Sequence, residues 1–266
     1  MENSVTVLGT RGSVPVSGAS FSRFGGATTC VLVRMAGQFI ILDAGTGILA
    51  LPKEALSQPS LSLILSHPHA DHIIGLAMCP YLFKADARMD IYGARRGGLN
   101  AREQISRIFS PPVWPVDMDA LPADVRFFDM ERSFKIGGVR VDTMEGEHPG
   151  GVSLIRLCGE DKSVVFITDC TLTDARFPEI SEFSRDCDLL LCDGQYSEEQ
   201  WRQRRTFGHS TWTAAAKLAR SAGASKARMI HHDPERTDDE LLKEAGGLLN
   251  IHPDCSFAFE GEVIPL

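Results

Sequence analysis

Short apolar runs separated by glycine-rich turns dominate the chain and predict a structure rich in β-strands. Runs of four to six residues of this kind are typical of buried strands. The predicted strands of the first half are residues 5–8, 30–33, 39–42 and 61–65. Those of the second half are residues 139–141, 153–157, 163–167, 188–191 and 227–230, and the tail, 256–264, also has a strand pattern. The two halves therefore share one rhythm.

Two longer segments have the apolar spacing of amphipathic helices. Residues 211–222 end at Gly223, a common helix stop, and residues 237–249 begin at Thr237, a capping residue followed by three acidic residues. Strands with helices between them predict an α/β (α+β) protein, in which helices pack on the outer faces of sheets.

Residues 94–135 interrupt this rhythm. A predicted helix at 99–109 is followed by a proline-rich segment, 110–115, and an acidic loop. The segment could cover a substrate, form a homodimer contact, or pack Phe109 and Trp114 on the core as a surface excursion. We treat it as an insert in one domain that spans residues 1–266.

Composition limits the partners and the compartment. The 266 residues carry a net charge of −8 and a pI near 5.5, so no global basic field is available to hold a long nucleic acid. The seven cysteines include no CxxC pair, which favours reduced thiols in the cytoplasm. The start lacks the pattern of a signal peptide, and no apolar run approaches ~18 residues, so we expect no membrane partner.

One motif, SHPHADH at 66–72, concentrates metal-binding chemistry. It follows the predicted strand 61–65 and precedes an apolar stretch, 73–78, that resembles the start of a helix. Three imidazoles and a carboxylate within six positions would be costly to desolvate without a metal. Imidazole suits zinc, iron or manganese, and a carboxylate suits the harder of these ions. Two cations sharing the cluster would be a natural arrangement.

Further polar residues follow other predicted strands. His148 lies in GEHPGG between two strands, Asp169 follows the strand 163–167, and the pair His231-His232 follows the strand 227–230. Strand ends at one edge of a sheet converge on one site in layered α/β folds. We therefore expect these residues to join the first cluster.

The ordered pattern HxHxDH, His, Asp, His resembles the metallo-β-lactamase fold superfamily over most of the chain. A narrower resemblance is to its phosphodiesterase branch, which includes the tRNA 3′-endonuclease RNase Z and phosphoribosyl 1,2-cyclic phosphate phosphodiesterase. The segments that carry it are LGTRGSVP at 8–15, RFGGATT at 23–29, LDAGTG at 42–47, GHST at 208–211 and HHDP at 231–234.

The resemblance implies a four-layer αββα sandwich with two divalent ions at one edge, zinc being the most expected and manganese or iron the alternatives. It implies that the first ion is held by His67, His69 and His148. It implies that the second is held by Asp71, His72 and His231, with Asp169 bridging both. It also places Asp43 beneath the cluster as a partner for a ligand N–H. Pro234 sets the register that favours His231 over His232, which then becomes a supporting or substrate-side residue.

Two metals about 3.5–4 Å apart can lower the pKa of a shared water and bind a phosphoryl oxygen. With Asp71 at the metals, the remaining catalytic candidates are His209, as proton donor, and Asp193, as its orienting partner. They could instead be a helix-start neighbour and a turn residue. The candidates for substrate binding are Arg11, Ser13, Arg23 and His232, although Arg11 could equally form a structural salt bridge.

The leading hypothesis is a metal-dependent phosphodiesterase that hydrolyses a small, cyclic phosphodiester such as a cyclic nucleotide or a ribose cyclic phosphate. The alternative is an RNase Z-like tRNA 3′-processing endonuclease, which the acidic composition and the lack of a basic arm disfavour. A non-catalytic binding or sensor protein on this fold should have lost ligands, and none is lost here. The last histidine, His252, is predicted to lie at the surface.

Overall fold

A computed structural model describes residues 2–266, and these residues form fourteen strands and seven α-helices. The strands are β1 (Ser4–Gly9), β2 (Cys30–Met35), β3 (Gln38–Leu42), β4 (Ser60–Leu65), β5 (Arg88–Gly93), β6 (Asp124–Asp129), β7 (Ser133–Ile136), β8 (Val139–Gly146), β9 (Val152–Cys158), β10 (Ser163–Ile167), β11 (Leu189–Asp193), β12 (Lys226–Ile230), β13 (Cys255–Phe257) and β14 (Val263–Pro265). The helices are α1 (Lys53–Leu56), α2 (Ala70–Ile73), α3 (Ala101–Ser106), α4 (Phe177–Phe183), α5 (Glu198–Gln203), α6 (Trp212–Ala222) and α7 (Asp238–Ile251). None of the helices in residues 2–266 is long and apolar enough to cross a membrane.

The strands form two sheets of seven, with the orders β14-β1-β2-β3-β4-β5-β6 and β13-β12-β11-β10-β9-β8-β7. In the first sheet β3 to β6 are parallel, and the remaining pairs are antiparallel. In the second sheet β10 to β13 are parallel, and the remaining pairs are antiparallel. The first half of the chain thus builds most of one mixed sheet and the second half builds the other, whereas β14, from the C-terminal end, joins the first sheet.

The two sheets face each other across a central core. Residues with no solvent exposure from both sheets form this core, among them Val7, Val31, Leu42, Val141, Phe166 and Leu191. The outer face of the second sheet packs against α4, α6 and α7, and the first sheet has its own outer apolar layer. The predicted αββα sandwich is confirmed. The central strands have both faces buried, which is why they form continuous apolar runs in the sequence.

The segment 94–135 is more regular than its sequence predicts. It contains α3, which starts later than predicted because Asn100 and Glu103 form a capping box at its N-terminus. The helix ends at Ser106, before the predicted end. Phe109 is fully buried and packs edge-on against Trp114, with ring centroids 5.6 Å apart. The segment also supplies the edge strand β6 and most of β7. Charged residues alternate along β6, so the sequence contains no apolar run there.

Three other local predictions need correction. The tail forms two short strands in different sheets, β13 and β14, because the turn that follows β13 carries the chain from one sheet to the other. The helix predicted after the histidine cluster is only α2, followed by a 3-10 turn, Leu76–Met78. His252 is buried, and its Nε2 donates to the carbonyl oxygen of Ala224 at 2.8 Å, so the prediction of a surface residue was wrong.

Candidate metal centre

The candidate ligands lie just beyond the carboxyl ends of parallel strands. His67 follows β4 after one residue, Asp169 follows β10 after one residue, and His231 follows β12 directly. Asp169 and His231 have φ values of 48° and 61°, and Asp43, just after β3, has 58°. Positive φ is uncommon for such residues and often marks functional sites. These sharp exits from the strands direct the side chains to one edge of the sandwich.

A first group of ligand atoms comes from His67, His69, His148 and Asp169 and spans no more than 4.8 Å. Nε2 of His148 lies 3.1 Å from Nδ1 of His69 and 3.7 Å from Oδ2 of Asp169. Nε2 of His67 lies 3.6 Å from the same oxygen. Ligand atoms in a tetrahedral site with bonds of about 2.0–2.1 Å lie roughly 3.3 Å apart. The group therefore has the size of a site for one ion.

A second group comes from Asp71, His72, His231 and Asp169. Nε2 of His72 lies 3.1 Å from Oδ2 of Asp71 and 3.1 Å from Oδ1 of Asp169. Nε2 of His231 lies 3.2 Å and 3.0 Å from the same two oxygens. Asp169 thus directs one carboxylate oxygen to each group. The structure brings all seven predicted ligands together, with Asp169 between the two groups.

Hydrogen bonds behind the rings of His72 and His67 fix which nitrogen is free. Nδ1 of His72 donates to Oδ2 of Asp43 at 2.8 Å. The hydroxyl of Ser66 donates to the same oxygen at 2.7 Å and lies 3.0 Å from Nδ1 of His67, whose N–H it can accept. Both rings therefore keep the lone pair of Nε2 for an ion, as supporting groups do in metal sites.

The same arrangement holds for two ligands from the second half of the chain. Nδ1 of His231 donates to Oε1 of Gln195 at 2.8 Å, and Nδ1 of His148 donates to the carbonyl oxygen of Gly208 at 2.9 Å. Carbonyl oxygens only accept, so each Nδ1 must carry the proton. Nε2 of both rings is directed at the ligand groups and is the atom that remains for an ion.

Two buried nitrogen atoms test whether these residues suit a metal. Nε2 of His67 and Nε2 of His72 are buried and have no hydrogen-bond partner. An unpartnered buried polar atom in a native protein needs an explanation, and a bound ion is one. Because both atoms lie within the two ligand groups, the residues fit divalent metal ions.

The charges of the centre also favour cations. Burial alone would raise the pKa of the Asp169 carboxyl, but His231, His72 and His67 hold it well below its usual range. Burial acts to lower the pKa of His231, whereas Asp169 and Asp71 together raise it to about 10. The buried carboxylates are therefore stabilised by positive charge, which divalent ions would supply.

His209 and Asp193 form a pair beside the second ligand group. Asp193 ends β11, and His209 lies in the turn before α6, whose first turn is capped by Thr211. Nδ1 of His209 donates to Oδ2 of Asp193 at 2.8 Å. The His209 ring stacks on the ring of His231 with centroids 5.0 Å apart. The pair thus lies next to the ligands, and Nε2 of His209 makes none of these contacts.

Two of the four residues predicted to bind substrate do not reach the centre. Arg11 has no solvent exposure, and its guanidinium donates to the carbonyl oxygens of Gly25, Asp233 and Arg236. His232 is also fully buried, and its Nε2 donates to the carbonyl oxygen of Ala258 at 2.9 Å. These contacts give no support to the substrate role predicted for Arg11 and His232, which stays a prediction. Buried loop carbonyls need donors, and the rigid fork of an arginine supplies several.

The other two candidates remain exposed. The backbone N–H of Ser13 donates to Oδ2 of Asp71 at 2.7 Å, which places Ser13 beside the second ligand group with a φ of 65°. The backbone N–H of Arg23 donates to Asp238 at the start of α7, at 2.7 Å. Ser13 is thus in place to meet a substrate, whereas Arg23 is anchored outside the two ligand groups.

The buried position of Arg11 leads to a prediction about stability. We expect Arg11→Met to lower the free energy of unfolding by about 3–5 kcal/mol, because three carbonyl oxygens and Asp238 lose their partner in the interior. KM should stay near the wild-type value when measured at a temperature where the variant is folded. Denaturant unfolding and steady-state kinetics test both parts. A large rise in KM without loss of stability would restore the substrate role.

Several residues that support the candidate ligands were not predicted from the sequence. Gln195 holds His231, and Ser66 holds His67, although Ser66 stands inside the motif that was recognised. Gln195 lies two residues beyond the end of β11, so the rule that polar residues gather at strand ends could have indicated it. No local signal identifies Arg96 or Glu145, which pair across 49 residues of sequence near His148.

Gln195 permits a test of the supporting layer. Gln195→Ala should weaken metal binding about 10–100-fold, because the N–H of His231 loses its acceptor and the ring loses its orientation. Titration of the metal-free protein with zinc and a competing chelator measures this. Gln203→Ala, at the exposed end of α5, is the matched control and should bind as the wild type does.

Two facing mixed sheets with a histidine and aspartate centre at the strand ends define a metal-dependent hydrolase. The chain belongs to the β-lactamase superfamily, because the family model for the β-lactamase superfamily domain matches residues 38–232. Members of this fold class hold divalent metals, most often zinc.

Individual relatives agree with this assignment. Ribonuclease Z from Lachnoclostridium phytofermentans is 24% identical over an alignment of 293 positions, which covers 90% of this chain and 91% of that protein. The metallo-β-lactamase fold protein YhfI from Bacillus subtilis is 21% identical with a TM-score of 0.73, and the match covers 99% of each chain. A diphosphatase from the PhnP family is 18% identical with a TM-score of 0.71, covering 99% of this chain and 98% of the other. At these identities the structural matches show the fold.

Proposed function

We propose that this protein is a phosphodiesterase that hydrolyses a small cyclic phosphodiester. It would hold two divalent ions, and zinc is the ion we expect first. The observation that carries the proposal is the His209–Asp193 pair beside a complete set of seven ligands. The thiolate of a thioester leaves without a proton, whereas an alkoxide leaving from phosphorus needs one. A histidine held next to the ligands but outside both groups suits that task.

The bound ions would supply a nucleophile from water and neutralise charge on the phosphoryl oxygens. The protein fixes where this happens. Asp169 sets the separation of the two ligand groups through its two oxygens, and Asp71 is held in place by the N–H of Ser13. The exposed loop at Ser13 leaves room for substrate beside the second group.

His209 is assigned the role of proton donor. Its Nδ1–H is held by Asp193, so Nε2 is the atom that can carry a transferable proton. Asp193 is itself fixed, because its other oxygen accepts from the N–H of Gln195 at 2.9 Å. Gln195 therefore orients both the ligand His231 and, through Asp193, the proton donor.

Charge favours a small substrate over tRNA, because the net charge of −8 opposes the approach of a polyanion. The extent of the structural matches does not separate the two. The diphosphatase of the PhnP family and the short form of human tRNase Z both match this chain at almost full length on both sides.

The second candidate is a tRNA 3′-processing endonuclease, which the curated relatives named ribonuclease Z favour. The deciding experiment compares kcat/KM for bis(p-nitrophenyl) phosphate, cyclic nucleotides, ribose cyclic phosphates and a precursor tRNA with a 3′ trailer. We expect a small cyclic phosphodiester to be the best substrate. Cleavage of the precursor tRNA with a higher kcat/KM would establish the second candidate. Binding without turnover of any substrate would indicate a sensor.

The number of ions has its own test. Elemental analysis of the purified wild-type protein should give close to two transition-metal ions per chain, because each ligand group has four donor atoms. A value of one would leave only one group functional, and a value near zero in repeated preparations would remove the basis of the mechanism. Light scattering of the same sample tests the predicted homodimer.

A further inference from the structure

We propose that Arg96 is a positioning residue, which holds the loop bearing His148 in place for the first metal ion. This gives the segment 94–135 a role at the centre. The inference concerns metal binding, and it rests on the proposed function only in assuming that the first ligand group holds an ion.

The loop in question is residues 147–151, between β8 and β9. The strands are paired up to its ends, with Gly146 opposite Val152 and Glu145 opposite Ser153. Arg96 binds both members of the second pair. Its two terminal nitrogens donate to the two oxygens of Glu145, and Nη2 also donates to the hydroxyl of Ser153 at 2.8 Å. One guanidinium therefore ties together the two strands that carry the loop.

The guanidinium also limits the path of the loop itself. A Cβ atom added to Gly151 would lie 2.3 Å from Nη1 of Arg96 and 2.6 Å from Glu145, so the backbone of Gly151 packs directly on the ion pair. Gly150 and Gly151 both have φ values of +85°. The N–H of Gly151 donates to the carbonyl oxygen of His148 at 2.9 Å and closes the turn. Arg96 therefore contacts Gly151, and the hydrogen bond of the turn connects Gly151 to the ligand His148, three residues earlier.

Arg96 is itself firmly held, as a positioning residue must be. Its backbone N–H and carbonyl pair with Leu99 at 2.9 Å each, across a turn formed by Gly97 and Gly98. Gln104 of α3 donates to the carbonyl oxygen of Leu99 at 2.7 Å. The Arg96 side chain is 11% exposed and that of Glu145 is 57% exposed, so the hydrogen bond from Arg96 to the buried Ser153 is the better shielded of its contacts.

A second connection reaches the other side of the first ligand group. The N–H of Ser153 donates to the carbonyl oxygen of Ser66 at 2.9 Å, and Ser66 supports His67. Arg96 therefore acts on two ligands of the first ion. The same route reaches His72 only through a further residue, Asp43, which accepts from both Ser66 and His72. The hydrogen bonds of Arg96 itself go to Glu145 and Ser153, next to the loop of His148. We therefore predict that replacing Arg96 weakens the binding of the first ion more than that of the second.

The test measures zinc affinity of the metal-free full-length protein by competition with a chromophoric chelator, in two backgrounds. In the His231→Ala background the second ligand group is damaged, so the measured zinc affinity is mainly that of the first group. In the His148→Ala background the first group is damaged, so the measured affinity is mainly that of the second group. Arg96→Met should weaken zinc about tenfold or more in the His231→Ala background and leave the His148→Ala background unchanged. Arg126→Gln is the matched control, because Arg126 makes an exposed pair with Asp124 at 2.7 Å and should change neither.

Equal weakening in both backgrounds would reduce Arg96 to a general structural role, and no weakening in either would overturn the proposal. Arg96→Lys should restore part of the affinity, since one ammonium can reach Glu145. If Arg96→Met does not fold, Glu145→Gln and Ser153→Ala carry the test, each removing one side of the contact. A protein that binds zinc as predicted but hydrolyses no phosphodiester would refute the proposed function and leave this inference intact.

Discussion

Asp169→Asn is expected to remove essentially all hydrolytic activity, with a loss of more than about 10³-fold in kcat/KM. Its two oxygens face different ligand groups, at 3.0–3.1 Å from His231 and His72 on one side and 3.6–3.7 Å from His67 and His148 on the other. An amide keeps the shape but loses the charge and one acceptor oxygen. Loss of a single charge-stabilising donor already costs about 10²–10³-fold in other enzymes, and here both ions lose a ligand.

Metal content should fall together with activity in this variant. Asp174→Asn, an exposed aspartate five residues along the same loop, is the matched control and should retain both. His232→Ala addresses the adjacent pair at the end of β12. It should keep its metal, because His232 binds the carbonyl oxygen of Ala258 and not an ion. If His232→Ala lost its metal as fully as Asp169→Asn while remaining folded, the assignment of His231 as the last ligand would be wrong.

His209→Ala should lower turnover of a cyclic phosphodiester by about 10²–10⁴-fold while metal content stays near that of the wild type. The ring stands outside both groups of ligands needed for the ions, yet it stacks on His231 and is held by Asp193. The leaving group decides the size of the effect. A ribose alkoxide needs a proton, whereas p-nitrophenolate leaves without one, so bis(p-nitrophenyl) phosphate should lose far less rate.

Asp193→Asn should change the rates in the same direction by a smaller factor, because an amide orients the ring less well and does not stabilise its charged form. The comparison of the two substrates separates proton donation from other roles. Equal rate losses on both substrates would mean that His209 binds phosphate or supports the fold. Loss of metal in His209→Ala would mean that it supports the His231 ring with which it stacks.

The ligands were predictable because each depends on a local feature that the sequence contains. Buried strands are apolar on both faces, so their ends can be located, and the polar residues that follow them are few. His67, His148, Asp169 and His231 all stand at such ends, and one edge of the sandwich brings them together. The strand pattern predicted sheets with helices on their outer faces, and the family resemblance supplied the four-layer sandwich.

Adjacent residues at one strand end mark the limit of this reasoning. Successive side chains of an extended chain point in opposite directions, so only one of His231 and His232 can reach the ions. The resemblance favoured His231, but the spacing of the residues alone fits either. The structure shows His231 with a φ of 61° and Nε2 near Asp71 and Asp169, while His232 packs between Phe24 and Phe257.

The sequence by itself determined which side chains are the candidate ligands, because these side chains and the strands that present them are encoded within short segments. Only the tertiary structure determined which groups Arg11 and Arg96 bind. Arg11 stands in a glycine-bearing loop typical of phosphate binding, yet the fold buries it among the carbonyl oxygens of distant loops. Arg96 stands in an apparent surface insert, yet it joins the strands on both sides of His148. An arginine has a long side chain and five donors, so its partners depend on which loops the folded chain brings within reach.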